Sequence, residues 1–228
     1  AAILSQTDHM TRLLDDLLDI SRITQSKIEL NRRVVDLRHI AEQSSEMVRS
    51  IMAERRHRFT VDLASEPTYV EGDPARLQQM QVNLLVNAAK YTPPEGDVAL
   101  QIANDDRHAL IRVRDTGVGL SKAAQRKVFD PFHQEDRTVA QSEGGMGVGL
   151  TLVRSLVELH GGNIKVTSDG VGHGAEFLIR LPRAPAPSKP LPREDSADAP
   201  LPSLHVLLVE DNDQLRVTTE ALLRINGC

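Results

Sequence analysis

The 228-residue chain carries 27 Lys and Arg against 32 Asp and Glu, for a net charge of −5, and only 3% of it is aromatic, with no Trp. That balance excludes nonspecific nucleic-acid binding through a basic surface, and the scarcity of aromatics excludes a stacking platform for single strands. Hydrophobic residues make up 40%, enough for one or two ordinary domains, and no apolar run is long enough to cross a bilayer. The one cysteine, Cys228, rules out an intramolecular disulfide and fits a reducing compartment. The scattered histidines have no spacing that suggests a zinc site. No signal-peptide pattern opens the chain, and both of its ends read as cut.

Residues 1 to about 30 read as one helix. Ile3, Met10 and Leu17 share one heptad position, and Gln6, Leu13 and Ile20 share the other. Leu14 and Leu18 widen that seam, as in a helix packed against several neighbours. Residues 36–56 read as a second amphipathic helix, with Leu37, Ile40, Ala41, Met47, Val48 and Ile51 facing inward. Phe59–Leu63 alternates like a strand. Asp73-Pro74 then starts a helix, with Asp as N-cap and Pro at the first helical position, and this helix runs to Lys90.

Two alternating strands follow, Val98–Ala103 and Ala109–Asp115, joined by a polar turn at Asn104–His108. Ser121–Phe129 and Thr151–His160 read as helices, the second stopped by Gly161-Gly162. Ile164–Ser168 and Ala175–Leu181 close the pattern as strands. Helices and strands mix without βαβ alternation, so the expected class is α+β, with a mixed sheet covered by helices on one face. From Pro182 to Pro202 the composition turns to Pro, Ala, Ser and charge, the signature of a linker. His205–Val209 then reads as a buried strand ending in Glu210-Asp211-Asn212, the start of a further domain.

Three constellations carry chemistry. Gln79, Asn83 and Asn87, at i, i+4 and i+8, share one helix face. A solvent stripe is the bland reading, but Asn is a poor interior helix former. Its carbonyl oxygen, however, is a suitable hard ligand for the Mg²⁺ of a nucleotide. Lys90 can meet a phosphate as a point charge, and Tyr91 can cover the sugar or base. Asp115, before Gly117 and Gly119, can accept a hydrogen bond from the adenine amino group; by itself the segment is equally a tight turn. Gly144–Gly149 opens the helix containing Leu150, where backbone amides form a phosphate site. Gly170, Gly172 and Gly174 make a last glycine turn, which an ordinary hairpin would explain as well.

In this order the residues resemble the ATP-binding catalytic domain of sensor histidine kinases, within the gyrase, heat-shock-90, histidine-kinase and mismatch-repair ATPase superfamily. Residues 79–92 are similar to the family's N box and Asp115–Gly119 to its first glycine box. Phe129–Phe132 resembles the F box and Gly145–Gly149 the second glycine box. Gly172–Phe177 is similar to the last glycine box, with Ala175 where Ser or Thr is common. Leu13–Arg22 resembles the second helix of a dimerisation and phosphoacceptor bundle, and Val206–Asn212 resembles the start of a receiver domain.

The resemblance implies a hybrid kinase. Its parts would be a partial bundle helix over 1–34, a catalytic domain over 35–182, a linker over 183–203 and a receiver fragment over 204–228. It implies a two-layer α/β sandwich with a mobile lid near 133–146, between a long bundle helix and a truncated doubly wound receiver fragment. ATP and Mg²⁺ would bind, with transfer of the γ-phosphoryl to a bundle histidine and then to a receiver aspartate. Asn83 would hold the metal. Gln79, Asn83 and Lys90 would serve catalysis. Asn87, Tyr91, Asp115, Gly117, Gly119, Gly145, Gly147, Gly149 and Leu150 would bind the nucleotide.

The implied partners are the phosphoacceptor bundle and a receiver or response regulator, in a homodimer of the full protein. The implied location is cytoplasmic, with no nucleic acid and no membrane contact from these residues. The His-Glu/Asp phosphoacceptor box does not occur here, since His9 is followed by Met-Thr-Arg-Leu. Two other readings are a gyrase-like ATPase and a nucleotide-binding module that senses or scaffolds. ATP-hydrolysing relatives resemble this motif with Glu at the Gln79 position as a base for water. Gln cannot act as a base, which weighs toward transfer to a nucleophilic imidazole. The intact Asn83, Asp115 and glycine boxes weigh against the scaffold.

Overall fold

The computed structural model describes residues 29–131, 133 and 147–187. The expected first helix, nearly all of the lid segment, most of the linker and the receiver-like segment lie outside the described residues. The chain divides into two units, 1–188 and 189–228, and every described residue belongs to the first.

Strand β1 (Arg33–Asp36) leads directly into helix α1 (Leu37–Glu54). Asp36 caps that helix, its Oδ1 accepting from the Arg38 N–H at 3.1 Å. Leu37, Ile40, Ala41, Ser44, Ser45, Val48 and Met52 form the buried face. Met47, expected inward, is 61% exposed. The buried stripe follows i, i+3/i+4 from Leu37 through the two serines to Met52, and Met47 falls one position outside it.

After strands β2 (Arg58–Leu63) and β3 (Tyr69–Gly72) comes helix α2 (Pro74–Tyr91). Its start is as expected. Asp73 Oδ1 accepts from Ala75 N–H at 3.0 Å and Arg76 N–H at 3.3 Å, and Pro74 takes the position where a missing donor costs nothing. Strands β4 (Asp97–Asn104) and β5 (His108–Asp115) form the expected hairpin. Helix α3 (Lys122–Lys127) is shorter than its sequence pattern, and helix α4 (Gly149–Leu159) begins two residues earlier than expected. Strands β6 (Asn163–Thr167) and β7 (Ala175–Pro182) complete the domain.

The main sheet has the order β2-β4-β5-β7-β6, with β2 parallel to β4 and the other pairs antiparallel. The fold is therefore α+β with a mixed sheet, as expected. Register stacks one face into apolar rows. Leu100 lies opposite Val113, which lies opposite Phe177; Ile102, Ile111, Ile179 and Ile164 make the next row. Helices α1, α2 and α4 pack side by side and meet these strands. Leu100, Ile111, Ile179, Leu84, Leu85 and Leu152 are wholly buried. Each such side chain contributes about 1.5–3 kcal/mol through burial.

The opposite face is polar. Gln101 Nε2 donates to Asp62 at 2.7 Å, and Arg112 donates to Gln101 Oε1 at 2.6 Å and meets Glu176 at 3.3 Å. One chain of contacts thus crosses four strands. Strands β1 and β3 were not anticipated. They form a separate antiparallel pair, Arg33 opposite Gly72 and Asp36 opposite Tyr69.

The described chain enters and leaves at one end. Asn31 N–H donates to Asp73 Oδ2 at 3.1 Å, and Arg32 donates to the Leu159 carbonyl at 2.7 Å. After β7, Arg183 N–H donates to the Arg107 carbonyl and Ala184 N–H to the Tyr69 carbonyl. These anchors lie at the start of α2, the end of α4, the β4–β5 turn and β3.

Candidate functional site

At the other end, the α2 C-terminus meets the β5 end. Asp115 is the last residue of β5 and sits on the buried face, opposite Val98 and Ala175. It is 7% exposed. Its Oδ1 accepts two backbone N–H bonds, from Gly117 at 2.8 Å and from Ala175 at 3.2 Å. Burial pushes its pKa up, and the two backbone bonds pull the other way without cancelling the rise. With Oδ1 engaged, the remaining acceptor capacity of the carboxylate is free for a ligand donor.

The loop after Asp115 is strapped to helix α2. Val118 N–H donates to the Tyr91 carbonyl at 3.0 Å. A Cβ on Gly117 would run into that same carbonyl, so only glycine lets the two backbones approach so closely. Gly119 has φ +65°, in the left-handed region. The Gly170–Gly174 turn packs back on this loop: Gly172 N–H donates to the Val118 carbonyl at 2.7 Å and Gly174 N–H to the Gly117 carbonyl at 3.0 Å. It is thus part of the Asp115 neighbourhood rather than an isolated hairpin, which answers the question its glycines left open.

Gln79, Asn83 and Asn87 stand half-buried along α2, and Lys90 and Tyr91 follow, also half-buried. Gln79 Oε1 accepts from Arg76 at 2.7 Å. Asn83 buries its Nδ2 with no hydrogen-bond partner among the described residues. Lys90 Nζ lies 5.1 Å from the centre of the Tyr91 ring, a cation–π contact. Met80 and Gln81 are fully buried on the core side. About 12 Å of helix separates Asn83 from Tyr91 at the Asp115 loop.

Helix α4 packs against α2. Its N-cap is Val148, which makes no side-chain cap bond, so among the described residues no side chain caps its first amides. Gly147 has φ +71°. A Cβ at Gly149 would meet no atom of the described residues within 4 Å. Leu150 packs on the core, and Thr151 Oγ1 donates to the Phe129 carbonyl at 3.0 Å. Gly145 lies outside the described residues. The structure thus gathers Asp115, Gly117 and Gly119 at the α2 C-terminus, and sets the polar stripe and the uncapped α4 end on packed helices.

Sequence reasoning missed three contributors to the Asp115 neighbourhood and one residue at the tethered end. Thr116 Oγ1 accepts from Asp97 N–H at 2.9 Å and so fixes the loop to β4. Ser168 and Gln125 bond to the loops around Asp115. His160, expected only as a helix end, accepts from Asp73 N–H through Nε2 at 3.0 Å and hydrogen-bonds Leu156 O through Nδ1 at 2.7 Å. Burial first, and then Arg32, lower its pKa, against the raising influence of Leu156 O and Asp73. The sequence carried no signal for these beyond the Gly-Gly after His160. Among the described residues no group of His, Cys, Asp and Glu forms a metal site, and no helix is long and apolar enough to cross a membrane.

Residues 72–185 match the model of the histidine kinase-, DNA gyrase B- and HSP90-like ATPase family. The chain belongs to that family. It is 34% identical over 230 residues to the circadian input-output histidine kinase CikA of Synechococcus elongatus, covering 99% of this chain and 30% of that protein. The mycobacterial sensor histidine kinase MprB superposes with TM-score 0.60 at 30% identity, over 68% of this chain and 99% of that one. ShkA in complex with AMPPNP superposes with TM-score 0.71 at 30% identity, over 81% of this chain and 38% of that one. The chain thus resembles two-component histidine kinases and spans about a third of the length of the CikA relative.

Proposed function

We propose that this chain is the ATP-binding catalytic part of a protein-histidine kinase that delivers the γ-phosphoryl of ATP to a histidine on a helix bundle, for onward transfer to a receiver aspartate. The observation that carries this reading is Asp115. A buried carboxylate has Oδ1 held by two backbone amides, beside the end of a helix bearing two half-buried asparagines. A carboxylate in that place selects a base with an exocyclic amine and leaves the phosphates to the helices.

The roles follow the placement. Asp115 accepts from the adenine amine, and Gly117 and Gly119 bring backbone to the base. Tyr91 covers the nucleoside. Asn87 and Lys90 contact phosphates. Gly147, Gly149 and the first amides of α4, with Gly145 and Leu150 of the same segment, receive the phosphate chain. The oxygen of the Asn83 side chain is a hard donor suited to Mg²⁺, and its orphaned Nδ2 fits an amide whose partner is a ligand. When bound, Mg²⁺ neutralises charge on the phosphates. In the transfer, the γ-phosphorus bond to the bridging oxygen breaks, a bond to the imidazole nitrogen forms, and ADP leaves. Positioning carries most of the catalysis in such a step.

Gln79 has no basic group, and its oxygen is occupied by Arg76. This supports an imidazole acceptor over water. We assign the preceding residues to a bundle helix and those after the linker to a receiver, with the bundle, a receiver or response regulator and a second copy as partners. The test is direct. Incubate the 228-residue chain with γ-labelled ATP and Mg²⁺, with and without a separate bundle domain carrying a phosphoacceptor histidine. Acid-labile label on the bundle, and none on the chain alone, is expected. Release of inorganic phosphate with no label on any histidine would replace the reading with an ATPase.

A further inference from the structure

Strand β6 ends at Thr167, and the next residue, Ser168, is 7% exposed. A hydroxyl has one proton and two lone pairs. Here all three are used. The proton goes to the Gly174 carbonyl at 2.6 Å, the Gly170 carbonyl lying farther at 3.2 Å. The lone pairs accept from Leu120 N–H at 3.0 Å and Gly170 N–H at 3.3 Å. Gln125 Nε2 reinforces the knot, donating to the Leu120 carbonyl at 3.1 Å and the Ser168 carbonyl at 2.9 Å. One buried oxygen therefore joins the loop that follows Asp115 to the turn that precedes β7.

Both partners bear on Asp115. Gly174 donates its own N–H to the Gly117 carbonyl at 3.0 Å, and the next residue, Ala175, donates to Asp115 Oδ1 at 3.2 Å. Gly117 donates to the same oxygen at 2.8 Å. The Ala175 amide that orients the carboxylate thus belongs to the same peptide as the Gly174 carbonyl that Ser168 holds, and the Gly117 amide lies three residues before Leu120 in the loop that Ser168 ties. We propose that Ser168 is a positioning residue for base selection: it fixes the Gly174 and Leu120 peptides so that Asp115 faces the exocyclic amine of the purine. This rests on the reading of Asp115 as the group that selects adenine. Removing the hydroxyl leaves Gly174 O, Leu120 N–H and Gly170 N–H without that partner, all within a few residues of the carboxylate or its clamp. Buried groups so deprived shift to find new partners.

The test uses the 228-residue chain and two nucleotides, ADP and the analogue whose purine lacks the 6-amino group. The wild type binds ADP more tightly. In Ser168→Ala that preference shrinks by about tenfold, the analogue keeps its affinity, and Ser168→Thr, which retains the hydroxyl, restores the preference. Because the serine acts through the aspartate, Asp115→Asn in the Ser168→Ala background costs less than it does alone. If the alanine variant does not fold, Ser168→Cys fills the same space with a weaker donor and carries the measurement. Equal loss for both nucleotides, or an unchanged preference, overturns the role of Ser168 while leaving Asp115 in place. A wild type that does not distinguish the two nucleotides removes the Asp115 reading and this proposal with it.

Discussion

Val118 donates its backbone N–H to the carbonyl of Tyr91, the last residue of helix α2, at 3.0 Å. The bond makes the Asp115 loop a continuation of the helix end. The residues proposed to read the base and those of α2 proposed to face the phosphates are therefore joined through one helix end, and a change in either should be measurable separately.

Asp115→Asn is expected to weaken adenine nucleotides about 10- to 100-fold, the worth of a hydrogen bond to a charged group, with an intact melting transition. The acidic pH dependence has a definite sign. Burial first raises the Asp115 pKa above its ordinary carboxylate value. Affinity should therefore begin to fall, as pH is lowered, at a higher pH than for an ordinary aspartate. The linked stability runs the other way: a raised pKa favours the folded state below the unfolded value, and that gain is lost as pH rises through the folded value. Titrations of ADP affinity and of the melting temperature against pH, in wild type and Asp115→Asn, check the two in turn. An identical pH profile in the variant would remove Asp115 from the site.

Asn83→Ala is expected to abolish transfer to a supplied bundle domain while adenine recognition persists. Asn83 stands two turns of α2 away from the end that holds the Asp115 loop. Loss of a metal ligand raises the barrier far more than it weakens binding. Alanine is favoured in a helix, so the fold should hold. Transfer rate and ADP affinity measured in parallel decide it, and near-normal transfer would return the polar stripe to a surface role.

Gly174→Ala is expected to damage the site through the backbone. Gly174 has φ +67°, and a Cβ there would overlap the Asp115 carbonyl. The left-handed conformation alone costs about 1–2 kcal/mol, and the overlap adds displacement of the β5 end. Melting temperature and ADP affinity should both fall. An alanine variant that keeps full affinity would show that the turn is free to move away from Asp115.

The tie between His160 and Asp73 N–H requires an unprotonated Nε2. Burial, and then Arg32, depress the His160 pKa, while Leu156 O and Asp73 oppose this. A depressed pKa gives stability that is present above the unfolded value of about 6.5 and is lost as pH falls through the folded value. Gly72 leaves room for the ring, since a Cβ there would sit 2.6 Å from His160 Cδ2. Denaturant midpoints should therefore fall as pH drops below about 6.5. His160→Gln should flatten that slope, and an unaltered slope would assign it to other groups.

Long periodic elements were legible, and the reasons are local. Asp73-Pro74 named the start of α2 because cap and ring chemistry act within one turn. Asp115 ahead of Gly117 and Gly119 read as a tight turn or a ligand site, and the turn is what the structure shows, with Gly119 at φ +65°. Strands β1 and β3 were not legible. Each has four residues, and they pair across separations that run from 33 positions, Asp36 to Tyr69, to 39, Arg33 to Gly72. Met47 misled because an apolar residue beside Val48 reads as core, whereas Ser44 and Ser45 take the buried positions. Ser168 gave no sign, because what it does is set by backbone partners 6 and 48 residues away.

The chain is attached to this domain at the start of α2, the end of α4 and the exit of β7, whereas Asp115, Tyr91 and Gly149 lie at the opposite ends of their elements. Any rigid rotation about the tethered end would therefore displace Asp115, Tyr91 and Gly149 further than residues near the tethers. Helix α2 has 18 residues, a length of roughly 27 Å. A swing of about 20° around the tethered end would carry the Tyr91 end through roughly 9 Å on that geometry. On the proposed reading, a modest rotation where the polypeptide is anchored would shift a nucleotide held at the far end by several ångströms.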